Sequence, residues 1–184
     1  MTTTDTDAAD KNAAAPAAPQ DEAPVVYLLV GLTGSGKTTY AQQLVEREDV
    51  IRLSVDELLA ERHGRYGIDY PEPQHGELEA PIVAEVTERM VELARAGQSV
   101  VLDHGLWLKH EREAYKKLVT DAGGRWRLLY FQATREVLLA RLAERNARAE
   151  TDGATLLITP SALDDFFGRF DVPSGEGEEI LVQQ

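Results

Sequence analysis

Short apolar runs alternate with amphipathic stretches along this chain from residue 25 onward. Residues 25–30, VVYLLV, are continuously apolar and rich in β-branched side chains, which predicts a strand buried on both faces. Similar short runs predict further strands at 50–53, 99–103 and 126–132, and a weaker run at 179–182 predicts a fifth. Stretches with helical periodicity separate the runs, so the predicted order is β-α-β-α-α-β-α-β-α-α-β.

Several predicted helices have recognisable ends. Ser54 with Glu57 three residues later forms a capping-box pattern at the start of one helix. A polar stretch at 63–77 contains three glycines and two prolines, which predicts a loop. A long helix is predicted from about residue 80 to 96, with Pro81 in its first turn. The remaining helices are predicted from the glycine-rich turn to about 47, and at 109–122, 134–148 and 159–169.

This alternation predicts an α/β fold in which a mostly parallel five-stranded sheet lies between two helical layers, a three-layer α/β/α sandwich. Such sheets bind ligands beyond the carboxyl ends of their strands. Candidate chemistry is therefore expected directly after each predicted strand.

Composition adds limits on the class of protein. The 184 residues include no cysteine, which excludes a disulfide framework and a cysteine-ligated metal site. Residues 1–24 lack large apolar side chains after Met1, so they are predicted to be a disordered tail preceding a single domain at 25–184. No signal-peptide pattern or long apolar run is visible, so we expect a cytoplasmic protein without membrane contact. The net charge of −13 disfavours long-range attraction to nucleic acid.

The turn after the first strand has a specific phosphate-binding motif. Residues 31–38, GLTGSGKT, fit G-x-x-x-x-G-K-[ST] at every fixed position, between a predicted strand and a predicted helix. We name this segment the P-loop. Its backbone N–H groups and the helix N-terminus suit a nucleotide phosphate, the lysine reaches the β- and γ-phosphates, and the last hydroxyl suits Mg²⁺. The predicted nucleotide-binding residues here are Gly31, Thr33, Gly34, Ser35, Gly36, Lys37, Thr38 and Thr39.

Other motifs exclude most classes of P-loop protein. The chain has no N-K-x-D motif for guanine, no Ser-Gly-Gly signature of a transporter ATPase, and no length for the helical lid domain of a mechanical ATPase. A small P-loop kinase that uses ATP and Mg²⁺ remains.

The sequence resembles the small P-loop kinases grouped with the polynucleotide kinase domain, gluconate kinase and zeta toxin. The resemblance covers about residues 25–182. It lies in VGLTGSGKTTY at 30–40, LSVDEL at 53–58, VVLDHGLWLKHER at 100–112, LARLAERN at 139–146 and TPSALDDFFGRFDVP at 159–173. It implies a nucleoside-kinase-like fold with a short mobile lid at about 141–159, whose tip would be 150–154.

The resemblance also implies roles for two aspartates. Asp56, just beyond the second strand, matches the carboxylate that accepts the proton of the acceptor hydroxyl, a role that phosphoryl transfer requires. The alternative for Asp56 is a helix N-terminal carboxylate stabilised by the helix dipole. Asp103 ends an apolar strand and matches the acidic residue that binds Mg²⁺ together with Thr38; a turn-forming aspartate is the alternative.

Arginines on the predicted lid helix are the next candidates. Arg141, Arg145 and Arg148 are spaced four and three residues apart, so they share one helix face. The resemblance implies that Arg141 stacks on adenine and that Arg145, a catalytic residue, contacts the transferring phosphate; an exposed arginine face is the alternative. Val172 and Pro173 lie in a segment that borders adenine in the similar kinases, or else form a simple turn.

The acceptor is expected between Asp56, the polar loop at 63–77 and residues 104–107. His104 could hydrogen-bond the acceptor or act as an accessory base, or could be an ordinary loop histidine. The candidate substrate-binding residues are Asp56, Arg65, Tyr70, His104, Trp107 and Arg112.

The leading hypothesis is an ATP- and Mg²⁺-dependent phosphotransferase that acts on a hydroxyl of a small molecule such as a nucleoside, a sugar or an antibiotic-like natural product. The alternatives are a 5′-hydroxyl polynucleotide kinase, and a nucleotide-binding regulatory protein or zeta-like toxin. The sequence predicts neither the acceptor nor the oligomeric state.

Overall fold

The computed structural model of the protein describes residues 23–152 and 158–184. The tail predicted at 1–24 lies outside these residues except for its last two positions. Within the described ranges, no helix is both long and apolar enough to cross a lipid bilayer.

The elements follow the predicted order. The strands are β1 (Val25–Val30), β2 (Val50–Ser54), β3 (Ser99–Asp103), β4 (Arg125–Gln132) and β5 (Glu178–Val182). The helices are α1 (Lys37–Arg47), α2 (Val55–His63), α3 (His75–Arg95), α4 (Lys109–Asp121), α5 (Arg135–Asp152) and α6 (Pro160–Arg169).

The five strands form one sheet in the order β2-β3-β1-β4-β5, and every neighbouring pair is parallel. Successive side chains of β1 point to opposite faces, and both faces are apolar. Val26 and Leu28 belong to the core beneath α3 and α4, whereas Tyr27 and Leu29 pack on the α1 side. The predicted α/β sandwich is thereby confirmed, with a sheet that is wholly parallel rather than mostly so.

The start of α3 differs from the prediction. The helix begins at His75, five residues early, so Pro81 is its seventh residue instead of lying in the first turn. Pro81 removes only the hydrogen bond to the carbonyl of Glu77, which is exposed and can bind water instead. The first turn is held by aromatic contacts: the His75 ring lies 4.6 Å from that of Tyr66, and Tyr70 Oη lies 3.2 Å from His75 Nδ1.

The helix after β4 is joined to the P-loop at its base. Leu138 and Leu142 of α5 are buried in one cluster with Leu32 of the P-loop and Leu163 of α6. α5 continues to Asp152, about four residues beyond its predicted end, so 150–152 of the predicted lid tip are helical. Positions 153–154 of that tip lie outside the described residues.

Candidate active site

The atoms of the P-loop are closely packed against one another. Gly36 precedes α1 with φ of 95°, a left-handed conformation that glycine adopts without strain. At Gly31, a Cβ atom would lie 2.7 Å from Ser35 Oγ and 3.1 Å from the carbonyl oxygen of Phe131. Ser35 Oγ is itself buried and has no hydrogen-bond partner among the described residues. The loop thus requires glycine at Gly31 for close packing.

Lys37 bridges back to the start of the P-loop. Its Nζ donates hydrogen bonds to the carbonyls of Gly31 at 2.7 Å and Leu32 at 2.9 Å. Burial lowers the pKa of Lys37 to about 8, although the nearby carboxylates of Asp103 and Asp56 act in the opposite direction. An anionic phosphate beside this ammonium would stabilise its charged form, which is the chemistry expected of the P-loop lysine.

Thr38 and Asp103 form the candidate magnesium site. The Thr38 hydroxyl donates to Asp103 Oδ1 at 3.2 Å, and Arg52 holds the other carboxylate oxygen with Nε at 3.0 Å and Nη2 at 2.6 Å. Arg52 also donates two hydrogen bonds to Glu57. A hydroxyl and a carboxylate oxygen side by side fit Mg²⁺, which takes few protein ligands and completes its shell with phosphate and water. No cluster of three or more histidine or acidic side chains suited to a metal exists in the described ranges.

Two of the three arginines predicted to share a helix face, Arg141 and Arg145 of α5, face the P-loop. Arg141 Nη1 donates to the carbonyl of Gly34 at 3.3 Å, and Arg145 Nη1 donates to Thr33 Oγ1 at 3.3 Å. Arg145 Nε is buried without a hydrogen-bond partner among the described residues, and desolvation lowers the pKa of this side chain. A buried guanidinium nitrogen that lacks an acceptor fits the arrival of an anion at this position.

These groups surround one cavity of about 1,700 Å³. Asp56, His104 and Trp107 line it together with Lys37 and Arg145, so the structure brings these predicted residues to one place. Pockets for a single small molecule usually measure about 300–1,000 Å³, so this cavity has room for a nucleotide and an acceptor side by side.

Two of the predicted substrate residues on the 63–77 loop stay outside the cavity. Arg65 Nε lies 3.2 Å from Asp69, and its side chain is not part of the cavity wall. Tyr70 is buried behind His75, because its ring packs parallel to that histidine ring. Tyr66 and His75 line the cavity instead.

Arg112 is also outside the cavity, and its position corrects the prediction of a substrate contact. The side chain is completely buried, and its Nε and Nη2 each lie 2.7 Å from the Glu176 carboxylate. Its Nη1 donates to the carbonyls of Leu106 and Trp107 at 3.2 and 2.9 Å. Asp171 N donates to the same Trp107 carbonyl at 3.0 Å. Arg112 therefore holds the loop that presents Trp107 without reaching the cavity.

Val172 and Pro173 do not line this cavity either. They precede β5, whereas ligands bind beyond the carboxyl ends of strands, where β5 ends at Val182. There Arg141 Nη1 lies 3.5 Å from Gln183 Oε1, and its Nη2 donates to the Gln184 carbonyl at 3.1 Å. The strand-end rule could have found these residues. Cavity residues that the sequence missed include Tyr40, Gln43, Glu79, Glu111, Arg169 and Gln183.

Comparison with solved structures finds kinases of several kinds. A proposed kinase from Chloroflexus aurantiacus J-10-fl is 20% identical, covers 88% of this chain and 85% of its own, and has a TM-score of 0.67. A gluconokinase from Sinorhizobium meliloti 1021 is 17% identical over 89% and 83%, with a TM-score of 0.58. A chain of the Pnkp1/Rnl/Hen1 RNA repair complex is 22% identical over 79% and 43%, with a TM-score of 0.64. At these identities the likeness shows the fold alone.

None of the curated proteins compared with this sequence matches it significantly. A family model described as AAA domain matches residues 26–173, which is most of the chain and includes the P-loop, Asp56, Asp103, Arg141 and Arg145. ATP binding follows from membership of this family. The protein belongs to the AAA domain family of P-loop kinases.

Proposed function

We propose that this protein transfers the γ-phosphate of ATP to a hydroxyl group of a small molecule. The observation that supports this most directly is the position of Asp56. Its carboxylate is exposed, lines the same cavity as the P-loop, and acts electrostatically on both Lys37 and Arg145, whose pKa values it raises. A carboxylate in the same cavity as two phosphate-binding cations suits the attack of a hydroxyl on the γ-phosphorus.

The reaction balances with these groups. The acceptor oxygen forms a bond to the γ-phosphorus, the bond from that phosphorus to the β,γ-bridging oxygen breaks, and ADP leaves. Asp56 takes the proton of the acceptor hydroxyl. Lys37 and Arg145 neutralise charge on the phosphate oxygens, and such fixed, partly desolvated cations act more strongly than cations in open water.

Thr38 and Asp103 would hold Mg²⁺ in this reaction. The ion supplies charge neutralisation at the β- and γ-phosphate oxygens. Arg52 orients Asp103 so that one carboxylate oxygen stays beside the Thr38 hydroxyl. His104 follows Asp103 directly and lines the acceptor side of the cavity, where it could hydrogen-bond the acceptor.

A transfer assay with γ-labelled ATP tests the proposal. The panel contains nucleosides, sugars, hydroxylated antibiotics, nucleotide sugars and a 5′-hydroxyl oligonucleotide. Asp56→Asn should keep ATP affinity and lose transfer by about a hundredfold or more, the scale of general-base removal. Asp49→Asn is the matched control, because Asp49 is exposed at the other end of the sheet and should not affect transfer.

Each result has a defined meaning. Label on a small molecule that is lost in Asp56→Asn supports the proposal. Label on oligonucleotide ends alone would indicate a polynucleotide kinase. Tight ATP binding without transfer to any acceptor would favour a nucleotide-dependent regulatory protein, and full transfer by Asp56→Asn would remove Asp56 from the mechanism.

A further inference from the structure

The two sides of the cavity have opposite charge, and the strand order explains the separation. The P-loop follows β1, the central strand. On one side of it, the helix after β4 supplies Arg141 and Arg145. On the other side, the helices next to β2 and β3 supply three carboxylates, those of Asp56, Glu79 and Glu111. We call this second side the acidic wall.

The carboxylates of the acidic wall form no salt bridge with a lysine or arginine among the described residues, although Asp56 acts on Lys37 and Arg145 from a greater distance. Within the ranges that the structure describes, Asp56 and Glu111 form no salt bridge, and Glu79 has only His75, whose Nε2 lies 3.7 Å away. Glu111 accepts a backbone hydrogen bond from Leu108 at 3.2 Å. By contrast, an arginine donates two hydrogen bonds to each of Glu57, Glu85, Glu176 and Glu179.

A negatively charged acceptor would find little to bind on the acidic wall. Lys37, Arg141 and Arg145 lie on the nucleotide side. The remaining lysine or arginine among the described cavity residues is Arg169, whose Nη2 lies 2.6 Å from Asp165. The Arg169 guanidinium also lies over the Trp107 and Phe166 rings, 5.7 and 5.5 Å from their centroids, so it stacks on these rings. On the acidic wall itself, a phosphate or carboxylate group on the acceptor would meet three carboxylates of like charge.

Aromatic rings complete this side. Trp107 and Phe166 lie 5.2 Å apart, and Tyr66 lies 4.6 Å from His75; all four residues line the cavity. The faces of aromatic rings attract ammonium groups and pack against the apolar faces of saturated rings. The Arg169 guanidinium already lies over Trp107 and Phe166, whereas Glu79 lies beside the His75 ring. A carboxylate beside aromatic rings is complementary to a ring or chain that bears protonated amines.

A metal ion fits the acidic wall poorly. A bound cation needs several oxygen ligands converging at about 2.0–2.6 Å. The carboxylates come from three different helices, and no metal-binding cluster forms in the described part of the chain. The complementary cation is instead an extended organic one.

We propose that the acceptor is a hydroxylated amine, such as an amino sugar, an aminocyclitol or an amino alcohol, with its ammonium groups on Glu79 and Glu111 and its hydroxyl at Asp56. This inference rests on the proposed phosphotransferase function. In the transfer step the acceptor oxygen bonds to the γ-phosphorus of ATP, ADP leaves, and Asp56 takes the hydroxyl proton. The amines stay unmodified and serve to orient the hydroxyl.

Matched acceptors test this proposal. Hexose, cyclitol and nucleoside compounds are supplied in sets of three that carry an amine, a hydroxyl or a carboxylate at one position; glucosamine, glucose and glucuronate form one set. The amine member of at least one set should show a kcat/KM at least about tenfold above its neutral member, since hydrogen bonds between an ammonium group and a carboxylate are stronger than those of a neutral hydroxyl. A neutral or carboxylate member used best in every active set would overturn the inference and leave the kinase proposal intact.

Binding without turnover separates the two proposals. Calorimetry with a non-hydrolysable ATP analogue measures the affinity of the same compounds. Amine-selective binding without transfer would refute the kinase proposal and support the amine site. Neither amine selectivity in binding nor any transfer would refute both.

Two variants locate the amine contacts. Glu79→Gln and Glu111→Gln should each raise KM for the amine acceptor about tenfold with little change in kcat, and should affect the neutral acceptor less. Glutamine keeps an oxygen for the backbone bond that Glu111 accepts. Glu88→Gln is the control on α3, because Glu88 is exposed and outside the cavity. Equal effects on amine and neutral acceptors would overturn the assignment of these two residues.

Discussion

Replacing Arg112 with methionine tests what the buried ion pair contributes. Arg112→Met replaces the guanidinium with an apolar side chain of similar length. It removes both 2.7 Å hydrogen bonds to Glu176, whose side chain is only 3% exposed. Removing one partner of a buried pair costs about 3–5 kcal/mol, because the other charge is left uncompensated. Lys116 Nζ lies 3.9 Å from Glu176 and neutralises part of this charge. We therefore expect a loss of about 3 kcal/mol in the free energy of unfolding.

Arg127→Met is the matched control. Arg127 binds Glu179 with the same two-pronged geometry, at 2.7 and 2.6 Å, but the side chains are 43% and 46% exposed. Exposed pairs contribute about 0–1 kcal/mol. Urea unfolding followed by far-UV circular dichroism measures both variants, and an equal slope against urea shows that the free energies are comparable.

Two further measurements identify the cause of the loss. Arg112 lowers the pKa of Glu176, so the stabilisation is present above the unfolded carboxyl pKa of about 4.3 and disappears as pH falls through the folded value. The difference between wild type and Arg112→Met should therefore shrink in acid. The double variant Arg112→Met/Glu176→Leu should recover the part of the loss that comes from the uncompensated Glu176 charge, but not the hydrogen bonds from Nη1 to the Leu106 and Trp107 carbonyls. Arg112→Met costing no more than Arg127→Met, or a double variant as unstable as the single one, would refute this reasoning.

Three more predictions concern the P-loop and Arg145 of α5. ATP affinity measured by calorimetry should fall toward tenfold per pH unit above about pH 8, because binding must then protonate Lys37; constant affinity to pH 9.5 would contradict this. Gly31→Ala should lower the unfolding free energy by roughly 1–3 kcal/mol, since its Cβ would meet Ser35 Oγ at 2.7 Å. Gly76→Ala, which meets nothing within 4 Å on α3, should instead stabilise by up to about 1 kcal/mol in the same urea assay. Arg145→Ala should lower kcat by about a thousandfold and ATP affinity far less; equal losses in both would indicate ordinary binding.

Local signals made much of the fold predictable. The P-loop motif occupies only eight consecutive residues where a strand is followed by a helix, so phosphate binding can be predicted from one short segment. The cap at the start of α2 is equally local: Ser54 Oγ accepts from the backbone N–H of Glu57, as the spacing predicts. The short apolar runs predicted the strands correctly, because β1, β3 and β4 are buried on both faces of a wholly parallel sheet.

Long-range partners were not predictable in the same way. Arg112 is 64 residues from Glu176, and nothing in its own segment indicates that it turns inward instead of toward the substrate. On the 63–77 loop, packing of Tyr70 against His75 decides which ring faces the cavity, and loop packing cannot be derived from composition. Gln183 was not predicted as a cavity residue, although it directly follows β5 and the strand-end rule applied there. The prediction of nucleotide-binding residues in this part of the chain relied instead on the resemblance around Val172.

The leucine anchor at the base of α5 sets a mechanical limit. Leu138 and Leu142 pack the first two turns of α5 against Leu32 of the P-loop. Any bend of α5 relative to the P-loop would therefore lie in the stretch from Leu142 to Asp152. At 1.5 Å per residue, that stretch is about 15 Å long. A bend of about 10° would displace its far end by only about 3 Å. Arg145 is one turn from Leu142 and would shift by less than about 1 Å in such a bend, so its guanidinium would stay directed at the P-loop.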